Sequence, residues 1–214
     1  MTVRLVVFDL DGTLIDSARD LAAATNAALA RFGPGRPPLP EAVVRSFVGE
    51  GARLLLERSL AHAGIDAPVE DVLPVFRECY REHLLDSTVL YPGVAEALEA
   101  LSDRTLAVLT NKPGDFSRAI LEGLGVATRF ARVWGADDVP ARKPDPAGLL
   151  RLRRELGARP VETRVVGDSP IDVATARAAG VGVVGVTYGL DPEGVRAAGP
   201  DRLIDDLREL KALL

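Results

Sequence analysis

The sequence predicts an α/β protein, a doubly wound parallel sheet interrupted near its start by an all-helical insertion. Three observations support this prediction. An apolar, β-branched run at residues 3–8 is typical of a buried strand. Roughly 70 residues of helical pattern follow, from Ser17 to about Thr88 and without a strand signal, which is the size of a small domain. After residue 91, helical segments alternate with short apolar strands, as in a Rossmann-like core.

The helical block begins with a predicted helix from Ser17 to Phe32, which ends at the Gly- and Pro-rich segment 33–38. Three more helical segments are predicted, at 40–47, 52–63 and 69–84. We therefore expect residues 17–87 to form a separate helical domain and residues 1–16 and 88–214 to form the α/β core.

The second half of the chain predicts alternating helices and strands. Helices are expected at 94–101, 116–124, 147–156 and 171–179, and strands at 105–109, 132–134, 163–166, 181–186 and 201–204. Helical crossovers of this kind connect parallel strands, and such sheets bind ligands at the carboxyl ends of their strands.

Composition excludes several classes of protein. A net charge of −5 over 214 residues argues against a nucleic-acid partner, which would require clustered basic charge. The longest apolar runs are far shorter than the roughly 20 residues of a membrane helix, and the N-terminal segment lacks signal-peptide features. A single cysteine, Cys79, excludes an internal disulfide. We expect a cytoplasmic protein, monomeric or homodimeric, with a small-molecule partner and no membrane partner.

The first polar motif, Asp9-Leu10-Asp11-Gly12-Thr13, directly follows the first predicted strand. Two carboxylates beside a flexible glycine suit a hard cation such as Mg²⁺. A carboxylate there can also attack phosphorus as a nucleophile. An ordinary polar turn after a strand explains this motif, taken alone, equally well.

A second acidic motif, Gly167-Asp168-Ser169-Pro170-Ile171-Asp172, ends another predicted strand and opens a helix. Asp168 can complete a metal site. Asp172 can bind the metal or its waters, or it can simply cap the helix.

Two further segments follow predicted strands. Thr110 and Asn111 offer a hydroxyl and an amide that can hold phosphate oxygens, and Lys143 offers a cation; a polar loop and a solvated lysine are the alternatives. The chain has only three lysines, and two of them, Lys112 and Lys143, lie in these segments. Because all four segments follow strand ends of one parallel sheet, we expect them to converge on one site.

Together these segments resemble the four ordered motifs of the haloacid dehalogenase superfamily, and the resemblance extends over the whole chain. It implies that the helical block is a cap domain. It also implies that Asp9 is the nucleophile and Asp11 the general acid and base, while Thr110, Asn111 and Lys143 bind the phosphoryl group. By the same resemblance, Mg²⁺ binds Asp9, the Asp11 backbone carbonyl and Asp168, with Asp172 nearby.

The predicted cap contains a second, weaker resemblance. Arg45 and the run Gly49-Glu50-Gly51 are similar to a cap segment of bacterial phosphoglycolate phosphatases, which implies contact with the substrate and favours 2-phosphoglycolate. A helix–helix turn explains the two glycines equally well. Pyrophosphate and sugar phosphates remain alternative substrates.

Two other functions compete with a phosphatase. A phosphomutase would use the same aspartyl-phosphate and would need a bisphosphate activator. A non-enzymatic receiver-like module would be phosphorylated on an aspartate. The presence of Asp11 argues against the receiver, which needs no acid for a leaving alcohol.

Overall fold

The computed structural model describes residues 2–214, and the chain forms two compact units. Among these residues, the first unit comprises 2–16 and Leu90–Leu214, and the second comprises Ser17–Val89. Within residues 2–214, no helix combines the length and the apolar character that crossing a membrane requires.

The strands and helices are as follows. The strands are β1 (Leu5–Phe8), β2 (Ile15–Asp16), β3 (Val89–Leu90), β4 (Thr105–Leu109), β5 (Arg132–Trp134), β6 (Thr163–Gly167), β7 (Gly182–Val186) and β8 (Arg202–Ile204). The α-helices are α1 (Ala18–Phe32), α2 (Glu41–Arg45), α3 (Ala52–Ala63), α4 (Val69–Glu82), α5 (Val94–Ala100), α6 (Gly114–Gly123), α7 (Ala147–Glu155), α8 (Pro170–Ala178), α9 (Pro192–Ala197) and α10 (Leu210–Leu213). Short 3₁₀ helices occur at Ala127–Arg129, Pro160–Glu162 and Leu207–Glu209.

The first unit contains a six-stranded parallel sheet in the order β5-β4-β1-β6-β7-β8. This confirms the predicted α/β class and parallel sheet. Strand β1 lies at the centre, and Phe8 is in register with Val108 of β4 and Val166 of β6. The residues that follow these three strands therefore emerge side by side at one edge of the sheet.

Both faces of the central strand are covered, as its uninterrupted apolar sequence predicts. Leu5 and Val7 belong to a buried cluster that includes Leu149 and Leu152 of α7. Phe8 points to the opposite face, where its ring meets Phe130 edge-on with centroids 6.3 Å apart. A strand held on both faces provides a rigid base for the residue that follows it.

The second unit contains helices α1 to α4. Helix α1 packs against α2, α3 and α4, and α4 contributes the buried rings of Phe76 and Tyr80, which stack with centroids 5.6 Å apart. Asp20, in the first turn of α1, is buried, and its Oδ2 accepts hydrogen bonds from the backbone N–H groups of Ser87 and Thr88 and from the Thr88 hydroxyl. This carboxylate joins the two ends of the helical unit.

Most elements lie within one or two residues of the predicted positions. Helix α9 was not predicted from the sequence, because its six residues include Gly194 and show no periodic apolar face. Its start is nevertheless capped, since the Asp191 side chain accepts a hydrogen bond from the Gly194 N–H.

Candidate active site

Asp9 follows β1 at the predicted edge of the sheet. Its backbone N–H donates to the carbonyl of Val166, 2.9 Å away, which extends the β1–β6 pairing by one residue. Thr110 follows β4 and Asp168 follows β6 at nearly the same level. The three side chains that sequence reasoning placed together thus emerge from neighbouring strands.

Lys143 lies between two carboxylates, with its side chain almost fully buried. Its Nζ donates to Oδ1 of Asp172 over 2.6 Å and lies 2.9 Å from Oδ1 of Asp9. The Lys143 ammonium is thus ion-paired with both carboxylates. The loop that carries Lys143 is fixed by Asn111, whose Nδ2 donates to the Lys143 carbonyl over 3.0 Å.

Asp168 is buried and oriented at both oxygens. Oδ1 accepts from the Thr13 hydroxyl over 3.0 Å, and Oδ2 accepts from the Leu190 N–H over 2.7 Å. Gly12 packs against the same carboxylate at a φ of 86°, and a Cβ on Gly12 would lie 2.1 Å from Asp168 Oδ2. The glycine of the first motif is therefore needed both for its backbone conformation and for its missing side chain.

Asp172 caps a helix, one of the roles that the sequence left open, and it also pairs with Lys143, which was not predicted. Its Oδ2 accepts from the Ser169 N–H and hydroxyl, which caps the start of α8, and its Oδ1 accepts from Lys143. A Cβ on Gly167 would lie 2.3 Å from the Asp172 Cγ, so the carboxylate packs directly against the end of β6. The cap and the ion pair together hold this side chain in one orientation.

Burial is the main cause of the pKa shifts of the acidic groups in the cluster. It raises the pKa of the Asp9 carboxyl to about 6, against the opposing effect of Lys143. Burial, followed by the charges of Asp172 and Asp9, raises the pKa of Asp168 well above its ordinary value. Burial alone would lower the pKa of Lys143, but the Asp172 and Asp9 carboxylates outweigh it and raise that pKa.

The cluster fits a divalent cation. Asp9, Asp168 and Asp172 each offer one carboxylate oxygen, and these three oxygens lie within 4.8 Å of one another. When the three carboxylates are ionised, they and one ammonium carry a buried charge of about −2, which a divalent cation neutralises. Buried carboxylate oxygens of this kind are the ligands that Mg²⁺ prefers.

Thr110 and Asn111 are buried beside these groups. The Thr110 Oγ1 accepts from the Lys112 N–H over 3.2 Å, and this bond orients the hydroxyl that was predicted to hold phosphate. Asn111 is committed through its Nδ2 to the Lys143 carbonyl. Its contact with phosphate stays a prediction.

Two contacts in the core were not predicted from the sequence. The Lys112 ammonium lies 2.9 Å and 3.2 Å from the two carboxylate oxygens of Asp11. The Tyr188 hydroxyl donates to the carbonyl of Thr13 over 2.8 Å and so supports the first motif. The scarcity of lysine was the one signal in the sequence that singled out Lys112.

The predicted cap residues lie in the helical unit. Arg45 ends α2, and Glu50 forms an ion pair with Arg58 of α3. Gly49 and Gly51 have positive φ angles of 121° and 93°, conformations that favour glycine at a tight bend. Contact between these four residues and a substrate stays a prediction.

Comparison with known proteins agrees with the geometry. The family model described as haloacid dehalogenase-like hydrolase matches residues 6–186. A phosphoglycolate phosphatase of Pseudomonas putida is 44% identical, with 97% of this chain and 78% of the relative covered. One of Haemophilus influenzae is 38% identical, with 99% and 98% covered.

A solved structure is also similar. The crystal structure of a predicted phosphoglycolate phosphatase from Haemophilus somnus superposes with a TM-score of 0.93 at 34% identity, and covers 100% of this chain and 98% of its own. The family match spans every motif from Asp9 to Asp172. The chain therefore belongs to the haloacid dehalogenase-like hydrolases, a family of enzymes, and is similar to the phosphatases among them.

Proposed function

We propose that this chain is a magnesium-dependent phosphatase that hydrolyses a small phosphate monoester through an aspartyl-phosphate on Asp9. The observation that carries the proposal is the buried Asp9 carboxylate, held beside the Lys143 ammonium and within reach of two further carboxylates. A carboxylate is a competent nucleophile toward phosphorus once the repulsion between two anions is offset.

In the first step, a carboxylate oxygen of Asp9 attacks phosphorus and the bond from phosphorus to the ester oxygen breaks. Asp11 gives its proton to the departing alcohol oxygen. In the second step, water attacks phosphorus, Asp11 takes a proton from that water, and the Asp9 carboxylate is released together with inorganic phosphate. Lys143 and Thr110 would bind the equatorial phosphoryl oxygens, whose charge must be stabilised in both steps.

The metal would be held by Asp9, Asp168 and the backbone carbonyl of Asp11, with Asp172 close by. When bound, Mg²⁺ would neutralise negative charge on the phosphoryl group. The orientation of Asp168 by Thr13 and the Leu190 N–H supports this assignment, because ligand carboxylates are commonly fixed by hydrogen bonds of this kind.

The favoured substrate is 2-phosphoglycolate, which would yield glycolate and phosphate. The support is the name shared by the relatives at 38–44% identity, together with the similarity of Arg45 and the segment 49–51 to a cap segment of such enzymes. We further propose that the helical unit, Ser17–Val89, is the cap domain of this enzyme.

The first test compares phosphate release from 2-phosphoglycolate, pyrophosphate and a sugar phosphate, with Mg²⁺ and with excess EDTA. We expect metal-dependent release, with 2-phosphoglycolate giving the highest kcat/KM. Asp9→Asn should reduce release to the level of the blank, whereas the exposed control Asp103→Asn should match the wild type. Release by Asp9→Asn or in EDTA at the wild-type rate would contradict the mechanism. A reaction that only interconverts sugar phosphates and needs a bisphosphate would indicate a phosphomutase.

The second test traps the intermediate. In Asp11→Asn, p-nitrophenyl phosphate should still phosphorylate Asp9, because nitrophenolate needs little protonation to leave. Hydrolysis of the aspartyl-phosphate then lacks its base, so we expect a burst of about one nitrophenolate per site, followed by a slow steady state. A linear time course without a burst, and without acid-stable phosphate on Asp9, would count against Asp11 as the base.

A further inference from the structure

Asp11, the proposed acid–base residue, forms a buried ion pair with Lys112. The Lys112 Nζ lies 2.9 Å from Oδ1 and 3.2 Å from Oδ2 of Asp11, so a single ammonium meets both carboxylate oxygens. The side chains are only 4% and 11% exposed, respectively. Water therefore screens this pair less than it screens a surface ion pair, and the contact restrains the carboxylate more strongly.

The backbone of Lys112 is fixed on both sides. Its N–H donates to the Thr110 hydroxyl over 3.2 Å, and its carbonyl accepts from the Ala136 N–H over 3.0 Å. The neighbouring Gly135 packs so closely that a Cβ there would lie 2.5 Å from the Lys112 carbonyl oxygen. The ammonium therefore extends toward Asp11 from a backbone segment that has little freedom to shift.

The identity of the cation also matters. The chain uses 23 arginines and only three lysines, yet a lysine lies against Asp11. An ammonium is a compact point charge that can lie between two oxygens of one carboxylate and leave each oxygen with room for another partner. A proton donor and acceptor needs such room, because the leaving oxygen or the attacking water must come within about 2.6–3.2 Å of it.

We infer that Lys112 is a positioning residue that holds the Asp11 carboxyl group in the orientation required for proton transfer in both steps of the reaction. The inference rests on the proposed phosphatase function. It assigns to the third residue of the Thr110-Asn111-Lys112 segment a role separate from phosphate binding, which is assigned to Thr110 and Lys143. Lys112 acts on the rate through Asp11.

A double-mutant cycle tests this role, with 2-phosphoglycolate as substrate and saturating Mg²⁺. The variants are Lys112→Met, Asp11→Asn and both together. General acid–base catalysis contributes about 10²–10⁴-fold, so a misplaced Asp11 should lower kcat by about 10- to 100-fold, while KM stays within about threefold. In the Asp11→Asn background the same lysine substitution should change kcat by less than about twofold, because residues that act through one another are not additive.

Two further variants complete the set. Lys112→Arg keeps the charge and the donors and should recover part of the kcat lost in Lys112→Met. Lys211→Met is the matched control, because Lys211 lies 2.9 Å from Asp103 but is exposed and far along the chain from the catalytic motifs. It should keep wild-type kcat and KM.

Several outcomes would overturn the inference. A loss of equal size in the wild-type and Asp11→Asn backgrounds would mean that Lys112 acts independently of Asp11. A rise in KM at unchanged kcat would mean that Lys112 binds the substrate itself. A crystal structure of Lys112→Met with an unmoved Asp11 carboxylate would refute positioning without any reference to activity. The proposed function fails separately, through an inactive wild type or an active Asp9→Asn.

Discussion

Replacing Lys143 with methionine should test whether burial, more than distance, sets the strength of an ion pair in this protein. The Lys143 ammonium lies 2.6 Å from Asp172 and 2.9 Å from Asp9, with the lysine side chain 5% exposed. The Lys211 ammonium lies 2.9 Å from Asp103, but that lysine side chain is 46% exposed. The two lysines thus have similar contact distances and differ in burial and in the number of carboxylates that they contact.

Removing one partner of a buried ion pair costs about 3–5 kcal/mol, because the remaining charge loses its compensation. Lys143→Met leaves the buried carboxylates of Asp9 and Asp172 without their ammonium, so we expect a loss of that size in EDTA. Exposed ion pairs contribute only about 0–1 kcal/mol, which bounds the effect of Lys211→Met. With a urea dependence of about 2.5 kcal/mol per M, the midpoint should fall by about 1–2 M for Lys143→Met and by at most about 0.4 M for the control.

Trp134 provides the assay. It is the single tryptophan of the chain and lies on β5 of the unit that contains Lys143, so its fluorescence follows the unfolding of that unit. Urea titrations of wild type, Lys143→Met and Lys211→Met should be run at neutral pH in excess EDTA. A midpoint for Lys143→Met no lower than that of Lys211→Met would refute the argument from burial. Saturating Mg²⁺ should raise the midpoint of the wild type, since a ligand that binds only the folded state stabilises it.

Two other substitutions are predicted to be damaging for separate reasons. Gly12→Ala should reduce activity at least about tenfold and lower the urea midpoint, because Gly12 has a φ of 86° and the added Cβ would lie 2.1 Å from Asp168 Oδ2. Gly125→Ala is the control, since Gly125 has a similar φ of 73° but open space around it. It should lower the midpoint less and keep full activity. Equal activity in both variants would contradict the clash. Asp20→Ala should lower the free energy of unfolding of the helical unit by about 2–4 kcal/mol, because two backbone N–H groups lose their buried acceptor. The exposed control Asp66→Ala should change this free energy by less than about 0.5 kcal/mol. Urea unfolding followed by circular dichroism measures both. A loss of similar size in both would indicate that the Asp20 hydrogen bonds contribute little.

The fold and the ends of the strands could be predicted because they depend on local patterns. Strand β1 is an unbroken apolar run, and its burial on both faces follows from that run. The contacts that orient the site could not be predicted in this way. The Thr13 hydroxyl donates to Asp168, which is 155 residues away in the sequence. The Leu190 N–H donates to the other oxygen of the same carboxylate, and a backbone group of this kind has no sequence signature. Such contacts depend on how loops pack after the sheet has formed.

The lysines show how composition can indicate a site. In a chain with 23 arginines, a guanidinium is the ordinary cation, and its planar fork suits one carboxylate met side-on. Lys143 meets two carboxylates that approach from different residues, and Lys112 meets both oxygens of one. A compact ammonium can lie between the two carboxylates that surround Lys143, where a planar fork would align with only one of them. Lys211 lies in an exposed pair, so scarcity alone does not identify a site. The scarcity of lysine, combined with a position after a strand end, identifies both buried lysines. It draws attention to Lys112 in particular, for which the motifs had predicted no role.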